Sequence, residues 1–202
     1  MKLYDLKAGM NPRRVRIFLA EKGLTIPHVE VDMTNGENRA APYLAINPMG
    51  TMPVLELDDG TYLAESMAIC RYIEELHPEP NLFGTTTLER AQVEMWSRRM
   101  EFEIMQPVRE AFQHLSPFWV GRREQVAEYG KLAQKTATGR MTWLDGELAK
   151  RPFIASDRYT VADITAQCGL LLGKHTGTPI PETLTNLTRW FAEVSSRPTA
   201  RA

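Results

Sequence analysis

Two stretches of the sequence combine groups that can bind a ligand. In the first, Met52-Pro53 heads a run that reads as a strand, although proline cannot donate to a sheet ladder. In the second, Glu65-Ser66 stands where the next helix must begin. The free N–H groups and positive dipole of a helix start favour anions, so Ser66 belongs to a candidate carboxylate receptor. An ionised Glu65 only accepts hydrogen bonds, which suits an ammonium group.

Both stretches also have purely structural interpretations. In these, Pro53 belongs to an edge strand, where a proline blocks intermolecular pairing. Ser66 is then an ordinary N-cap, and Glu65 is a first-turn acid that interacts favourably with the helix dipole. The residues alone leave these alternatives open.

A third candidate lies at the start of the first helix. The amide of Asn11 can donate to an anion, but Asn11-Pro12 also suits an N-cap followed by proline at the first helical position. Arg13, Arg14 and Arg16 follow at once, and cations there oppose the dipole by about 0.3 to 1 kcal/mol each. Either an anion compensates them or they form a solvated basic face.

The elements that position these residues follow from periodicity and turn signals. Asp59-Gly60 predicts a hairpin between two short strands. An apolar stripe after Ser66 predicts a helix. The predicted strands cover 2–6, 28–32, 54–57 and 61–63, and the predicted helices cover 12–22, about 37–45, and the segment after Ser66. The order is β-α-β, then α, then β-β-α.

The rest of the chain reads as helical. Two prolines, a glycine and three threonines in HPEPNLFGTTT, residues 77–87, suit a linker. We predict a first domain over 1–79, a linker over 80–87 and an all-α domain over 88–202. Its helices are predicted over about 88–115, 122–150, 161–172 and 182–195. Thr160 and Asp163 predict a capping box, and Pro181 suits the first turn of the last helix.

Composition narrows the class of protein. The chain has 202 residues, 43% of them hydrophobic, and a net charge of -1, so nothing global favours nucleic acid or an anionic membrane as a partner. No segment approaches the roughly 18 consecutive apolar residues of a membrane span, and a cytoplasmic location is expected. Cys70 and Cys168 fall within apolar helical patterns, which predicts buried core residues rather than a redox pair or a metal site.

The motifs together resemble one family. NPMGTMPVLELDDGTYLAESMAICRYIEE resembles the glutathione-binding core of cytosolic glutathione transferases, NPRRVRIFLAEKGL resembles their first helix, and YTVADITA resembles the capping motif of their helical domain. The resemblance covers essentially the whole chain. It implies a thioredoxin-like α/β domain followed by an all-α domain, glutathione as co-substrate with no metal, and a homodimer that pairs the first domain of one subunit with the helical domain of the other.

The resemblance also implies roles for individual residues. The Met52-Pro53 bond would be cis and would expose the Met52 backbone to an extended peptide, as in an added strand. Glu65 and Ser66 would hold the γ-glutamyl end of glutathione. Arg39 would face the glycine carboxylate, and Thr51 replaces a lysine or glutamine of many relatives, which weakens that contact.

Activation of the thiol departs from the usual pattern of the family. Gly9 stands where several classes carry serine or cysteine, so Asn11, as in nu-class members, is the candidate that stabilises the thiolate. The acceptor substrate would sit between the domains. Its candidate contacts, which are equally compatible with core positions, are Met10, Met105, Gln106, Phe112 and Trp119.

Three functions remain open at this stage. The leading one is a glutathione transferase that joins the glutathione thiolate to a small electrophilic molecule, a role in detoxification. The second is a glutathione-dependent disulfide or peroxide reductase. The third is a non-catalytic protein of the same fold that only binds ligands.

Overall fold

The computed structural model describes all 202 residues. The chain forms two compact units, one of residues 1–82 with 201–202 and one of residues 83–200. An α/β unit followed by a helical unit is the fold class that the sequence predicts, and that prediction is confirmed.

The first unit is a four-stranded mixed sheet with helices. Its sheet has the order β2-β1-β3-β4, with β1 and β2 parallel and the other two pairs antiparallel. The bounds are β1 Lys2–Asp5, α1 Met10–Glu21, β2 His28–Glu30, a 3-10 turn Glu37–Arg39, α2 Ala41–Ile46, β3 Val54–Glu56, β4 Tyr62–Ala64 and α3 Ser66–Leu76. The predicted helix over 37–45 is thus divided, because Ala40 is extended between the 3-10 turn and α2.

The core of this unit follows the alternation of its strands. Leu3 of β1 faces Leu55 of β3 across the ladder, and both are fully buried. Their neighbour Val54 belongs to a second cluster with Val31 and Tyr43, the latter on α2. Helices α1 and α3 pack against each other. The end of β1 and the start of β3 are thereby held next to the starts of α1 and α3.

The second unit contains helices only. The bounds are α4 Thr87–Arg99, a π-helical segment Met100–Met105, α5 Gln106–Leu115, a 3-10 turn Pro117–Trp119, α6 Ala127–Leu148, α7 Val161–Thr176 and α8 Thr185–Ser196. The single helix predicted over 88–115 therefore contains a π-helical interruption. There the backbone approaches α7 closely, since a Cβ on Gly169 would lie 2.9 Å from Met105 Cα.

Two predicted helix starts in this unit are wrong. Helix α6 begins at Ala127 rather than near Arg122, because the N–H groups of Arg122 and Arg123 turn back to the Trp119 carbonyl and Gly121 has a φ of +74°. Helix α8 begins at Thr185, so Pro181 is not in its first turn. The Pro181 carbonyl instead accepts from Leu184 N–H in a preceding turn.

The predicted capping box of α7 is confirmed. Asp163 Oδ2 accepts from Thr160 N–H at 2.9 Å and from the Thr160 hydroxyl at 3.0 Å. The other carboxylate oxygen, Oδ1, accepts from Ile154 N–H at 3.0 Å and from Trp190 Nε1 at 2.8 Å. Burial raises the pKa of Asp163, and these four hydrogen bonds oppose the increase. One carboxylate thus joins α7, α8 and the segment before α7.

The remaining expectations concern cysteines and membranes. Cys70 and Cys168 are buried free thiols, as predicted. None of the helices combines the length and the apolar character that a membrane crossing requires.

Candidate functional site

The Met52-Pro53 segment leads into the middle of the sheet. Its peptide bond is cis, as the resemblance implies. Strand β3, which follows, lies between β1 and β4, so the interpretation of Pro53 as an edge-strand proline is wrong. Neither the N–H nor the C=O of Met52 makes a hydrogen bond within the chain. This backbone is therefore available to pair with an extended peptide.

Buried polar side chains hold the turn before Met52, and the sequence analysis missed them. Asn38 Nδ2 donates to the Gly50 carbonyl at 2.8 Å. The Thr51 carbonyl accepts from the Tyr43 hydroxyl and from Asn47 Nδ2, both at 2.8 Å. Burial raises the pKa of Tyr43 to about 12, so this donor stays protonated at neutral pH. Asn47, at the start of a turn that ends at Gly50, was the available signal.

Glu65 occupies an unusual backbone conformation at the start of α3. Its φ of +67° and ψ of 114° make it the only residue other than glycine with a positive φ in the chain. Such a conformation costs about 1 to 3 kcal/mol and often marks a functional position. Glu65 is the N-cap residue, yet its exposed side chain makes no capping hydrogen bond. Its carboxylate is therefore not used to complete the helix.

Ser66 is the first residue of α3 rather than its N-cap, so the interpretation of Ser66 as an ordinary cap is wrong. Its side chain is buried, and Oγ accepts a 2.7 Å hydrogen bond from Nη1 of Arg14, a residue that is 1% exposed. A hydroxyl that accepts from a guanidinium keeps its own proton to donate. The start of α3 thus combines an oriented hydroxyl with a buried positive charge.

The start of α1 also differs from its expected form. The helix begins at Met10 with Gly9 as N-cap, so Asn11 does not cap it and Pro12 is its third residue rather than its first. The cap moves back because Arg13 N–H donates to the Gly9 carbonyl at 3.0 Å. A Cβ on Gly9 would lie 2.9 Å from two atoms of the Pro12 ring. Asn11 is partly exposed and makes no hydrogen bond within the chain.

The arginines after Asn11 are not a solvated basic face. Arg16 Nη1 donates to Asp5 Oδ1 at 2.6 Å, and Arg16 Nη2 donates to the Lys7 carbonyl at 2.8 Å. Asp5 is buried at the end of β1, where His28 Nδ1 also lies 2.9 Å from Oδ2. The anion that compensates Arg16 is Asp5 of the same unit, whereas the Arg14 guanidinium donates to the Ser66 hydroxyl.

Arg39, at the end of the 3-10 turn, lies beside the turn that carries Thr51. Both are exposed, and Arg39 Nη1 is 3.4 Å from the Met49 carbonyl. Asn47 Nδ2 lies 3.1 Å from Thr51 Oγ1. Because the Thr51 carbonyl already accepts two hydrogen bonds, its hydroxyl is the group that remains for a ligand.

The five residues proposed for an acceptor site fall into two units. Met10 belongs to the first unit, and the other four belong to the helical unit. Met105 is buried beside Gly169 and is a core residue. Gln106 Nε2 donates to Glu110 Oε1 at 2.9 Å and lines a groove of about 220 Å³ with Phe102 and Tyr129. The structure brings Phe112 and Trp119 together, with ring centroids 5.8 Å apart.

A thioredoxin-like unit with a peptide-pairing segment at its cis proline, followed by a helical unit, defines the class of cytosolic glutathione transferases. Residues 10–76 match the family model "Glutathione S-transferase, N-terminal domain", and residues 109–198 match "Glutathione S-transferase, C-terminal domain". The chain belongs to the glutathione S-transferase family. It is a glutathione transferase, so the family resemblance and the enzyme class inferred from the sequence are both confirmed.

Individual relatives are similar to this chain over most of their length. Glutathione S-transferase 2 of Saccharomyces cerevisiae is 38% identical, with 100% of this chain and 88% of that protein covered. The crystal structure of a glutathione S-transferase domain-containing protein of Marinobacter aquaeolei has a TM-score of 0.92 at 40% identity, covering 98% and 99% of the two chains. Maleylacetoacetate isomerase of Pseudomonas aeruginosa is 33% identical over 82% of this chain and 81% of its own length.

Proposed function

We propose that the protein binds glutathione in its first unit and transfers the glutathione thiolate to small electrophilic molecules. The observation that carries this proposal is the pairing of an unbonded Met52 backbone with the Glu65-Ser66 start of α3. An extended peptide can pair with the free backbone groups of Met52. The amino acid zwitterion at the end of that peptide can bind at the Glu65-Ser66 helix start.

Recognition of the γ-glutamyl end divides between two residues. The Ser66 hydroxyl and the N-terminal N–H groups of α3 donate to the carboxylate, with the Arg14 guanidinium behind them. The Glu65 carboxylate accepts from the ammonium group. At the other end of the tripeptide, Arg39 and the Thr51 hydroxyl are the groups offered to the glycine carboxylate. Because the Thr51 hydroxyl is neutral and binds a carboxylate less strongly than a cation does, the glycine end is recognised less specifically than the γ-glutamyl end.

The first turn of α1 supplies the groups that stabilise the thiolate. A free thiol has a pKa of about 8.5, so an anion at neutral pH needs donors and positive potential. Asn11 Nδ2 supplies a donor that no group in the chain occupies, and the N–H groups and dipole of α1 add to it. Asn11 therefore acts by stabilising charge, and the protein contributes no covalent nucleophile.

A homodimer is part of the same proposal. Leu88, Met95 and Phe102 lie seven residues apart along α4 and the π-helical segment, and all three are exposed. An exposed apolar stripe of this kind favours a protein interface. Sedimentation should give a dimer for the wild type and a monomer for a Met95→Glu, Phe102→Glu variant. Glu128→Gln, at an exposed position of α6, serves as the control and should stay dimeric.

Turnover with a chromogenic aryl halide tests the transferase directly. We expect product formation above the uncatalysed rate at neutral pH, in the cytoplasmic range of glutathione concentrations. Glutathione binding by calorimetry without turnover of any of several electrophiles would instead favour a non-catalytic ligand-binding protein.

A glutathione-dependent reductase is the competing enzyme. Both cysteines of the chain are buried, so a mixed disulfide with the protein has no accessible thiol, and reduction would have to use two glutathione molecules. Parallel assays on a model disulfide and on the aryl halide separate the two activities. Higher turnover on the disulfide would favour the reductase.

A further inference from the structure

The joining segment between β1 and α1, residues 6–9, is short and partly open to solvent, yet side chains hold its backbone in place. Lys7 is exposed. The Leu6 N–H donates to Asp5 Oδ1 at 2.7 Å, and the Lys7 N–H donates to Glu30 Oε1 at 3.0 Å. Connecting segments at the surface are ordinarily more mobile than the elements they join. The bonds to Asp5 and Glu30 therefore restrict a segment that its exposure would leave free.

Arg16, in the second turn of α1, adds a contact that spans the joining segment. Its Nη1 donates to Asp5 Oδ1 at 2.6 Å, and its Nη2 donates to the Lys7 carbonyl at 2.8 Å. The Arg16 side chain is only 10% exposed. Asp5 is buried and is itself held from the other side by His28, whose Nδ1 lies 2.9 Å from Oδ2. Because a guanidinium is a rigid planar fork, Arg16 fixes the Lys7 carbonyl relative to Asp5.

The joining segment in turn determines where α1 begins. The Gly9 N–H donates to the Leu6 carbonyl at 2.7 Å, which places the N-cap of the helix directly on the segment. Pro12 has no N–H to offer. The N–H groups of Met10 and Asn11, and the Asn11 side-chain amide, make no hydrogen bond within the chain. The conformation of the joining segment therefore sets the direction of the free donors at the start of α1.

We infer that Arg16 is a positioning residue for thiolate stabilisation. By joining the Asp5 carboxylate to the Lys7 carbonyl, it holds the free donors of α1 in the arrangement that the glutathione thiolate needs. This inference rests on the proposed transferase function. Arg16 acts through geometry rather than charge, because Asp5 neutralises its guanidinium. Hydrogen bonds weaken steeply when they are misaligned, so a small rotation of the helix start lowers the stabilisation of the anion.

A purely structural role of Arg16 makes a different prediction. In that case its replacement lowers the free energy of unfolding but leaves the thiol pKa of bound glutathione unchanged in the folded protein. A positioning role raises that thiol pKa, because the anion loses favourable donors. Turnover at saturating glutathione then falls at low pH and recovers once the pH exceeds the new thiol pKa.

Three variants separate these roles. Arg16→Lys keeps a positive charge opposite Asp5 but lacks the fork that spans both acceptors. Arg16→Met removes both contacts, and Arg16→Lys, as the milder change, decides the question even if Arg16→Met does not fold. Lys2→Met is the matched control, because it removes a cation of β1 that lies 3.1 Å from Glu56 Oε2. For each protein we would measure the bound thiol pKa by ultraviolet titration, urea unfolding, glutathione affinity by calorimetry and the pH profile of turnover with an aryl halide.

The expected result is a thiol pKa about half a unit to one unit higher in both Arg16 variants and unchanged in Lys2→Met. Turnover below the thiol pKa should fall by about three- to tenfold and should approach the wild-type value at high pH. Affinity for glutathione with a protonated thiol should stay within about threefold of the wild type, because the groups proposed to bind its γ-glutamyl end lie on β4 and α3.

Two outcomes would overturn the role of Arg16 while the transferase proposal stands. One is a wild-type thiol pKa in Arg16→Lys, whether or not the free energy of unfolding falls. The other is an equal increase of the thiol pKa in Lys2→Met. If the wild type binds glutathione without lowering its thiol pKa below the value in water, the proposed thiolate stabilisation fails and this inference fails with it.

Discussion

The guanidinium of Arg14 on α1 donates a 2.7 Å hydrogen bond to the hydroxyl of Ser66, the first residue of α3. Both side chains are buried, so the bond is shielded from solvent. It couples the helix that carries Asn11 to the helix start that we propose to receive the γ-glutamyl group. The proposed carboxylate receptor therefore depends on a residue 52 positions earlier in the chain.

Removing this bond should weaken glutathione binding and the fold together. We expect the pair Arg14→Met and Ser66→Ala to show a coupling free energy of about 1.5 to 3 kcal/mol in a double-mutant cycle on unfolding by urea. Calorimetry should also show at least a tenfold weaker glutathione affinity for each single variant. Thr61→Ala, on an exposed turn, provides a control that should change neither quantity.

A Cβ at position 9 should destabilise the first unit. Gly9→Ala or Gly9→Ser brings the added atom to 2.9 Å from the Pro12 ring, and we expect a loss of about 1 to 3 kcal/mol in the free energy of unfolding. Gly9→Ser should therefore lower the activity, even though serine is the residue that several classes of the family carry at this position. Ala8→Ser, at the exposed neighbouring position, should be nearly neutral, and a Gly9→Ser enzyme with wild-type stability would contradict the clash.

Asn11→Ala should raise the pKa of the thiol of bound glutathione. The amide donor disappears while the fold stays intact, because Asn11 does not cap α1. Ultraviolet titration of the thiolate should show an increase of about one unit, corresponding to roughly 1.4 kcal/mol. If the thiol of bound glutathione has the same pKa in the wild type and in Asn11→Ala, Asn11 has no role in stabilising the thiolate.

Acid should destabilise the helical unit through Glu89. Hydrogen bonds from the Thr85 N–H and hydroxyl, with help from Arg158, lower the pKa of Glu89 from 4.5 to about 2. A lowered folded-state pKa adds stability that is fully present above pH 4.5 and is lost as the pH falls toward 2. Urea unfolding at pH 5 and pH 3 should show a decrease of about 1 kcal/mol from this group, after allowance for its partial exposure to solvent. Glu89→Gln should abolish that part of the decrease, whereas Glu128→Gln should leave it unchanged.

Replacement of Asp163 should be the most damaging change in the helical unit. Asp163→Ala leaves the Ile154 N–H and the Trp190 indole without acceptors inside the core. We expect the free energy of unfolding to fall by about 3 to 5 kcal/mol in chemical denaturation. Asp157→Ala, an exposed acid nearby, is the control, and a loss below about 1 kcal/mol for Asp163→Ala would contradict the network.

Local patterns alone determined much of this protein. Alternation in the strands, the Asp59-Gly60 hairpin and the capping box at Thr160 and Asp163 all correspond to the structure. These features depend on residues close together in the chain, where φ preferences and side-chain periodicity act directly. The cis bond before Pro53, which the structure also has, was implied by the family resemblance, and the peptide-binding roles of Met52, Glu65 and Ser66 are proposals.

Only the tertiary structure decided which groups meet across the chain. The hydrogen bond between Arg14 and Ser66, the pairing of Asp5 with Arg16 and the amide of Asn38 that holds Gly50 all depend on packing between separate elements. Sequence patterns predict the face of a helix or strand on which a residue lies, but they do not identify the residue that it contacts on another element. For that reason the sequence left open whether Asn11 caps α1 and whether the arginines face an anion or solvent. The packing shows that Gly9 is the N-cap and that Arg14 and Arg16 have partners within the first unit.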